Sequence, residues 1–203
     1  HAYDNEPDVT RQIDWVRRVA DAGLPILGSC WGLQICAVAG GGAVERNDAH
    51  AEMGFARKIV PTTDGLGHPL LTDRASAFDA PCIHYDHVSR LPEGSVLLAS
   101  NSRCPVQAAV IPLGRSIAWG VQYHPEFDLP HLAEIYEGYG DDMVGGQFFD
   151  TRNMLDSHIA DLRIAAEAAV DAPVVWRLGI DTDILDGSIR RTELRNWLRH
   201  LGE

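Results

Sequence analysis

The sequence predicts an α/β layer domain followed by a helical extension, and three observations carry that expectation. Apolar runs of strand length alternate with helical stretches through residues 1–127, the pattern of a layered sheet. Beyond Pro130 the strand signals stop and helical periodicity takes over. The chain has 203 residues, 45% hydrophobic and 23% charged, which suffices for one full core plus an appendage and excludes a disordered or fibrous chain. The expected division is an α/β domain over 1–130 and an acidic helical extension over 131–203.

The elements follow in order. Residues 7–22 read as a helix: Pro7 suits a first-turn position, Val9, Ile13, Val16 and Ala20 recur at helical spacing, and Gly23 supplies the stop. Residues 24–27 are a short apolar run, expected as a buried parallel strand, and 33–39 a helix ended by Gly40-Gly41-Gly42. Strands are expected over 55–60, 82–88, 95–99, 106–111 and 117–123, with turn signals at Pro92-Glu93-Gly94 and Pro112-Leu113-Gly114. Helices are expected over 131–139, 151–170 and 188–201. In the last, Leu194, Trp197, Leu198 and Leu201 form an apolar stripe, expected as the packing face. Residues 23–44 carry no charge and are long enough to span a bilayer, but Pro25 and six glycines suit a strand–turn–helix instead.

The formal charge of −12 argues against nucleic acid or an anionic membrane as the main partner, since both need a basic face. The acidity is uneven: residues 1–127 hold 14 acids and 10 bases, residues 128–203 hold 15 acids and 7 bases. The opening segment lacks the basic and apolar regions of a secretory leader. Cys30, Cys36, Cys82 and Cys104 form no C-x-x-C pair, so free thiols in a reducing cytoplasm are expected.

Gly28-Ser29-Cys30-Trp31-Gly32 is the most informative stretch, because it fits the G-x-nucleophile-x-G elbow with cysteine as nucleophile. A strand turning sharply into a helix exposes the nucleophile at the tip, and the flanking glycines let strand and helix approach. Cys30 would then sit at a helix N-terminus, which favours thiolate, with the Trp31 N–H placed to help hold an oxyanion. The second stretch is Trp119-Gly120-Val121-Gln122-Tyr123-His124-Pro125-Glu126. A histidine at a strand end with an acid two residues later can serve as a base oriented by a carboxylate.

Together, GSCWGLQ and, about 90 residues later, GVQYHPE closely resemble the class I glutamine amidotransferase family, in particular the GMP synthetase-type glutaminase domain. Glu52-Met53-Gly54 is similar to the family's E-x-G segment, and His84-Tyr85-Asp86-His87-Val88 with Leu91-Pro92 to its S-H-x-D-x-V…L-P stretch. The resemblance covers roughly residues 5–128. It implies a flavodoxin-like layered sheet, with Cys30 as nucleophile, His124 as general base and acid, and Glu126 orienting His124. It also implies Trp31 at the oxyanion and Gly32, Leu33, Gln34, His84 and Asp86 near the substrate. No cofactor or metal is implied.

The activity this implies is glutamine amide hydrolysis through a γ-glutamyl thioester, with ammonia delivered to an acceptor, so a synthetase partner in trans is conceivable. The alternatives are a γ-glutamyl peptide or amide hydrolase using the same triad, and a non-catalytic regulatory or binding member. The family's N-terminal strand and Gly-rich loop, source of a second oxyanion N–H, would precede His1, placing the start of the core some ~40 residues earlier. No ATP-pyrophosphatase domain follows, and the helical tail lies outside the family core.

Cys82, His84, Asp86 and His87 cluster within six residues, and on one strand the first three would share a face. Their spacing does not match a structural zinc pattern, so no metal is expected. Cys36 and Cys104 are expected as packing residues.

Overall fold

The computed structural model describes residues 1–203 apart from Asn5, residues 48–50, residues 145–147, Glu203 and the Asp141 side chain. The described chain divides into two units, residues 1–125 with 192–203 and residues 126–191. No helix among the described residues is long and apolar enough to cross a membrane.

The first unit begins with α1 (Pro7–Asp21), entered through Pro7 and followed by Gly23 at φ 75°. Its Ile13, Val16 and Ala20 are buried, as their spacing predicts. Then come β1 (Ile26–Ser29), α2 (Trp31–Ala39), β2 (Ala43–Arg46) and β3 (Glu52–Pro61). A short helix, α3 (Thr63–Leu66), and a 3-10 turn (Pro69–Leu71) lead to β4 (Phe78–His84) and β5 (Asp86–Arg90). A meander of β6 (Val96–Ser100), β7 (Ala108–Leu113) and β8 (Ser116–Val121) follows.

The main sheet has the order β1-β8-β7-β6-β3-β4, while β2 and β5 pair separately. β1 runs parallel to β8, with Gly28 beside Gly120 and Ser29 beside Val121; the other pairs are antiparallel. Period-two alternation divides the core between the two faces. Ala109, Ile111 and Leu113 of β7 pack with α1 and α2, while Ala108 and Val110 join Phe78, Leu98 and Tyr123.

The strands differ from the sequence expectation in two places. The strand expected over 82–88 is broken at Tyr85, because β4 continues the main sheet while β5 pairs with β2. His84 and Asp86 therefore belong to different sheets, and the Asp86 carbonyl instead accepts from His84 Nδ1 at 3.0 Å and Gln34 Nε2 at 3.0 Å. The second difference is β2, which no strand signal marked; it is short, and only Val44 is buried.

The last helix, α10 (Thr192–Gly202), packs within the first unit, not with the segment that precedes it. Its buried face is polar: Thr192, Glu193 and Asn196 are buried, while Leu198 is 62% and Leu201 43% exposed. The apolar stripe is thus not the docking face, although Trp197 packs against the core. Specific polar bonds dock the helix. Glu193 takes both nitrogen arms of Arg74, at 2.8 and 2.7 Å, and the Tyr123 hydroxyl at 2.7 Å. Asn196 donates to the carbonyls of Leu70 and Thr72, around the 3-10 turn. The Arg74 guanidinium also lies over the Phe78 ring.

The second unit is helical: α4 (Leu129–Gly138), α5 (Gly140–Met143), α6 (Arg152–Ala166), α7 (Pro173–Leu178), α8 (Thr182–Leu185) and α9 (Gly187–Arg190). Asp128 and Thr151 cap α4 and α6 by accepting from His131 N–H and Met154 N–H. α4 packs on α6, burying Leu132, Ala133 and Tyr136 on one side and Leu155, Ile159 and Leu162 on the other.

The Glu193–Arg74 pair is buried at both ends, so removing one partner strands the other charge. Glu193→Ala is expected to cost about 3–5 kcal/mol, read as a lowered urea midpoint; an unchanged midpoint would show that the pair does not hold α10.

Candidate active site

Gly28 and Gly120, neighbours across β1 and β8, form the floor on which the first turn of α2 rests. A Cβ on Gly28 would stand 2.5 Å from the Gly32 carbonyl carbon and 2.7 Å from the Leu33 nitrogen, and one on Gly120 would stand 2.5 Å from Leu33 Cδ1. Only glycine permits this approach. Gly32 differs, since a Cβ there would meet nothing within 4 Å. The first elbow glycine therefore serves close packing, whereas the second borders open space.

Cys30 joins β1 to α2 at φ 47° and ψ −98°, a conformation that costs a non-glycine residue about 1–3 kcal/mol. Its own hydrogen bonds hold it there. The Cys30 N–H donates to the Val121 carbonyl at 2.8 Å, and the Cys30 carbonyl accepts from Gln34 N–H at 3.1 Å. Trp31 is the first residue of α2, so its N–H is among those with no acceptor inside the helix. The Trp31 indole donates to Gln12 of α1 at 2.8 Å.

The Cys30 thiol points to the Ile83 carbonyl at 3.7 Å, and Gln122 Nε2 donates to the sulfur at 3.4 Å. The parallel register brings His124 to the same end of the sheet, three residues beyond Val121. The His124 N–H donates to the Pro81 carbonyl at 2.7 Å. Ser29, beside the nucleophile, reaches both the Tyr123 carbonyl (3.2 Å) and His124 Nδ1 (3.3 Å). A carbonyl only accepts, so the Ser29 proton goes to Tyr123 and the oxygen accepts from His124 Nδ1–H. Sequence reasoning missed Ser29; the available signal was a polar residue at the end of an apolar strand, beside the elbow cysteine.

Of the remaining expected site residues, Leu33 is buried against Gly120, and Gln34 is buried with its amide shared between the Asp86 carbonyl and Gln122 Oε1. Glu126 lies in an exposed turn at the start of the second unit. His84 is turned inward, with Nε2 3.0 Å from Glu52 Oε2. Its Nδ1 faces the Asp86 carbonyl at 3.0 Å, which can only accept. Asp86 Oδ2 is 2.5 Å from His1 Nδ1, and burial holds the Asp86 carboxyl above its usual range.

Glu52, Cys82 and His84 come close enough to hold a cation. As they stand, Glu52 accepts from Asn101 and Gln107 amides, each at 2.6 Å, and pairs with His84. The cluster is thus a hydrogen-bonded layer beneath the site, with carboxylate oxygens already occupied. The expected grouping with Asp86 and His87 is replaced by one with Glu52, across the β3–β4 pair.

The family model for class-I glutamine amidotransferases matches residues 4–135. The chain belongs to the class-I glutamine amidotransferase family. Its relatives include a γ-glutamyl-L-1-hydroxyisopropylamide hydrolase from a Pseudomonas species, 35% identical over 99% of this chain and 69% of that protein. The glutamine-hydrolysing GMP synthase of Actinobacillus succinogenes is 40% identical over 59% of this chain but only 24% of its own length. Among solved structures, amidotransferases from Thermotoga maritima (TM-score 0.67, 18% identity, 100% of this chain and 74% of that one) and Methylobacillus flagellatus (TM-score 0.65, 22% identity, 99% and 72%) share the fold.

The two elbow glycines should respond differently to substitution in this amidotransferase-family chain. Gly28→Ala is expected to cost about 3 kcal/mol through its clash with backbone, and Gly32→Ala to stay within about 1 kcal/mol, measured by thermal unfolding. Equal losses would contradict the asymmetric packing.

The four thiols should also differ. Burial raises Cys36 to about 11 and Cys104 to about 12, and pushes Cys82 well above its ordinary range. At pH 8 a thiol of pKa about 11 is ionised to about one part in a thousand. A brief iodoacetamide pulse on the native protein should therefore give a single adduct, at Cys30, by peptide mass spectrometry.

Proposed function

We propose that the chain hydrolyses the side-chain amide of a γ-glutamyl compound through Cys30, His124 and Glu126. The observation that carries this reading is the strained Cys30 backbone at the β1–α2 elbow, at the same sheet end as His124. The Cys30 thiolate attacks the γ-carbonyl carbon, and the tetrahedral oxyanion develops beside the Trp31 N–H. His124 gives a proton to the departing amine as the C–N bond breaks, leaving a γ-glutamyl thioester. Water then adds to the thioester, losing a proton to His124, and glutamate and the Cys30 thiol are released. Glu126 orients His124. Gly32, Leu33 and Gln34 border the space for the substrate, with His84 and Asp86 behind the wall built from β4 and β5.

Within that class, an N-substituted γ-glutamyl amide is the favoured substrate. The hydroxyisopropylamide hydrolase aligns with 99% of the chain and 69% of its own length, whereas the GMP synthases of Actinobacillus succinogenes and Xanthomonas oryzae align with 59% and 83% of the chain and only 24% and 32% of their own lengths. The second reading, glutamine hydrolysis with ammonia passed to a synthetase in trans, rests on the likeness to GMP synthases.

Glutamate release by the purified chain separates the two. With a γ-glutamyl alkylamide and glutamine offered in parallel, faster release from the alkylamide is expected, falling at least about 10³-fold in Cys30→Ala. Release from glutamine alone supports the ammonia-delivering reading. Activity unaltered by Cys30→Ala removes both.

A further inference from the structure

We propose that Gln122 is a further catalytic residue, whose side-chain amide donates to the Cys30 sulfur and stabilises it as the attacking thiolate. The inference rests on Cys30 being the nucleophile and goes beyond the triad. Gln122 is fully buried, and its Nε2 lies 3.4 Å from Cys30 Sγ.

The orientation of the amide is set from its other end. Gln122 Oε1 accepts from Gln34 Nε2 at 3.4 Å, and Gln34 is itself fixed by donating to the Asp86 carbonyl at 3.0 Å. Turning the Gln122 amide over would set two NH2 groups against each other and a carbonyl oxygen against the sulfur. The backbone adds a third anchor, Gln122 N–H to the Gln107 carbonyl at 2.8 Å. The N–H is thus aimed at the sulfur before any substrate arrives.

The contacts of the sulfur with the Ile83 carbonyl and the Gln122 amide respond in opposite ways to ionisation. The Ile83 carbonyl can accept only from the protonated thiol, so that bond is lost when the proton leaves. The Gln122 bond strengthens, because its acceptor becomes an anion. Gln122 therefore favours the reactive form, and stays in place as the sulfur acylates.

Cys82 from β4 and Cys104 from the turn before β7 lie near this sulfur, with Glu52 behind Cys82, and His124 stands beyond β8 against the neighbouring Ser29. Burial keeps Cys82 and Cys104 protonated through the neutral range, with Cys104 pushed up to about 12.

The test is the pH profile of Cys30 alkylation by iodoacetamide, followed on the Cys30 peptide, in the parent, Gln122→Met and Gln122→Glu. It needs no substrate, so its failure leaves the proposed reaction standing, and a wrong substrate class leaves it intact. Gln122→Met removes the donor at similar volume, and Gln122→Glu removes it wherever the new carboxyl is ionised. The expected result is a midpoint about one pH unit higher in Gln122→Met, equivalent to a tenfold loss of thiolate below the midpoint, and higher again in Gln122→Glu. Profiles that superimpose on the parent in folded variants overturn the proposal. Should both fail to fold, the parent decides: the Gln122 side-chain NH2 resonances should move as Cys30 ionises, and resonances unmoved across that range overturn it equally.

Discussion

The parallel pairing of β1 with β8 is the constraint on which the site depends. It sets Ser29 beside Val121, so that both chains leave the sheet at one level. The first residue beyond β1 is Cys30, and its N–H takes the Val121 carbonyl at 2.8 Å, as though extending the ladder by one more bond. That bond, with the α2 hydrogen bond from Gln34, holds a positive φ that an isolated cysteine would avoid. The glycine pair Gly28–Gly120 lies one step inside the same register, clearing room for α2 to start at once. Strain, glycine placement and helix onset are thus consequences of one strand register.

Beneath this floor the protein uses buried charge where a plain apolar core would be simpler. Glu52 and His84 pair in one layer, with Asn101 and Gln107 closing the carboxylate. Glu193, Arg74 and Tyr123 form another on the side covered by α10. Each carboxylate is met by donors on both oxygens or by a bidentate guanidinium, as burial of a charge requires. Such layers contribute little net stability over well-packed hydrophobes but admit only one arrangement of their partners. Glu52 ties β3, β4 and the strand-linking turn at Asn101; Glu193 ties a terminal helix to the chain just ahead of His124.

The elbow and the distal histidine were legible because their physics is local. A strand, two glycines, a cysteine and a helix occur within 16 residues, and Pro125 marks where the other strand has ended. α1 and α6 were legible for the same reason, since their buried faces follow helical periodicity. What could not be read was set by distant partners. Gly120 is required because Leu33, 87 positions away, fills the space where its Cβ would be. The break at Tyr85 follows from β5 finding β2. α10 followed the usual inference only in part: periodicity picked Leu194, Trp197, Leu198 and Leu201, of which Trp197 packs against the core while Leu198 and Leu201 are exposed, and Glu193 and Asn196 had the polar partners, Arg74, Tyr123 and the carbonyls of the 3-10 turn. Hydrophobic periodicity finds a packing face only when burial is apolar.

Beyond Val121 the sheet no longer guides the chain. The three residues there are each pinned by something different. Gln122 is held through its backbone by Gln107 and through its amide by Gln34 and the Cys30 sulfur. Tyr123 sends its ring into the core, edge-on to Phe78, with its hydroxyl on Glu193. His124 is fixed by its N–H on the Pro81 carbonyl and its ring on Ser29. Successive side chains point to different sides, so the segment cannot slide or rotate without breaking all three sets at once. Fixing a side chain outside a strand takes such convergence from several elements. α10 contributes to it, since its buried Glu193 holds the Tyr123 hydroxyl one residue from His124.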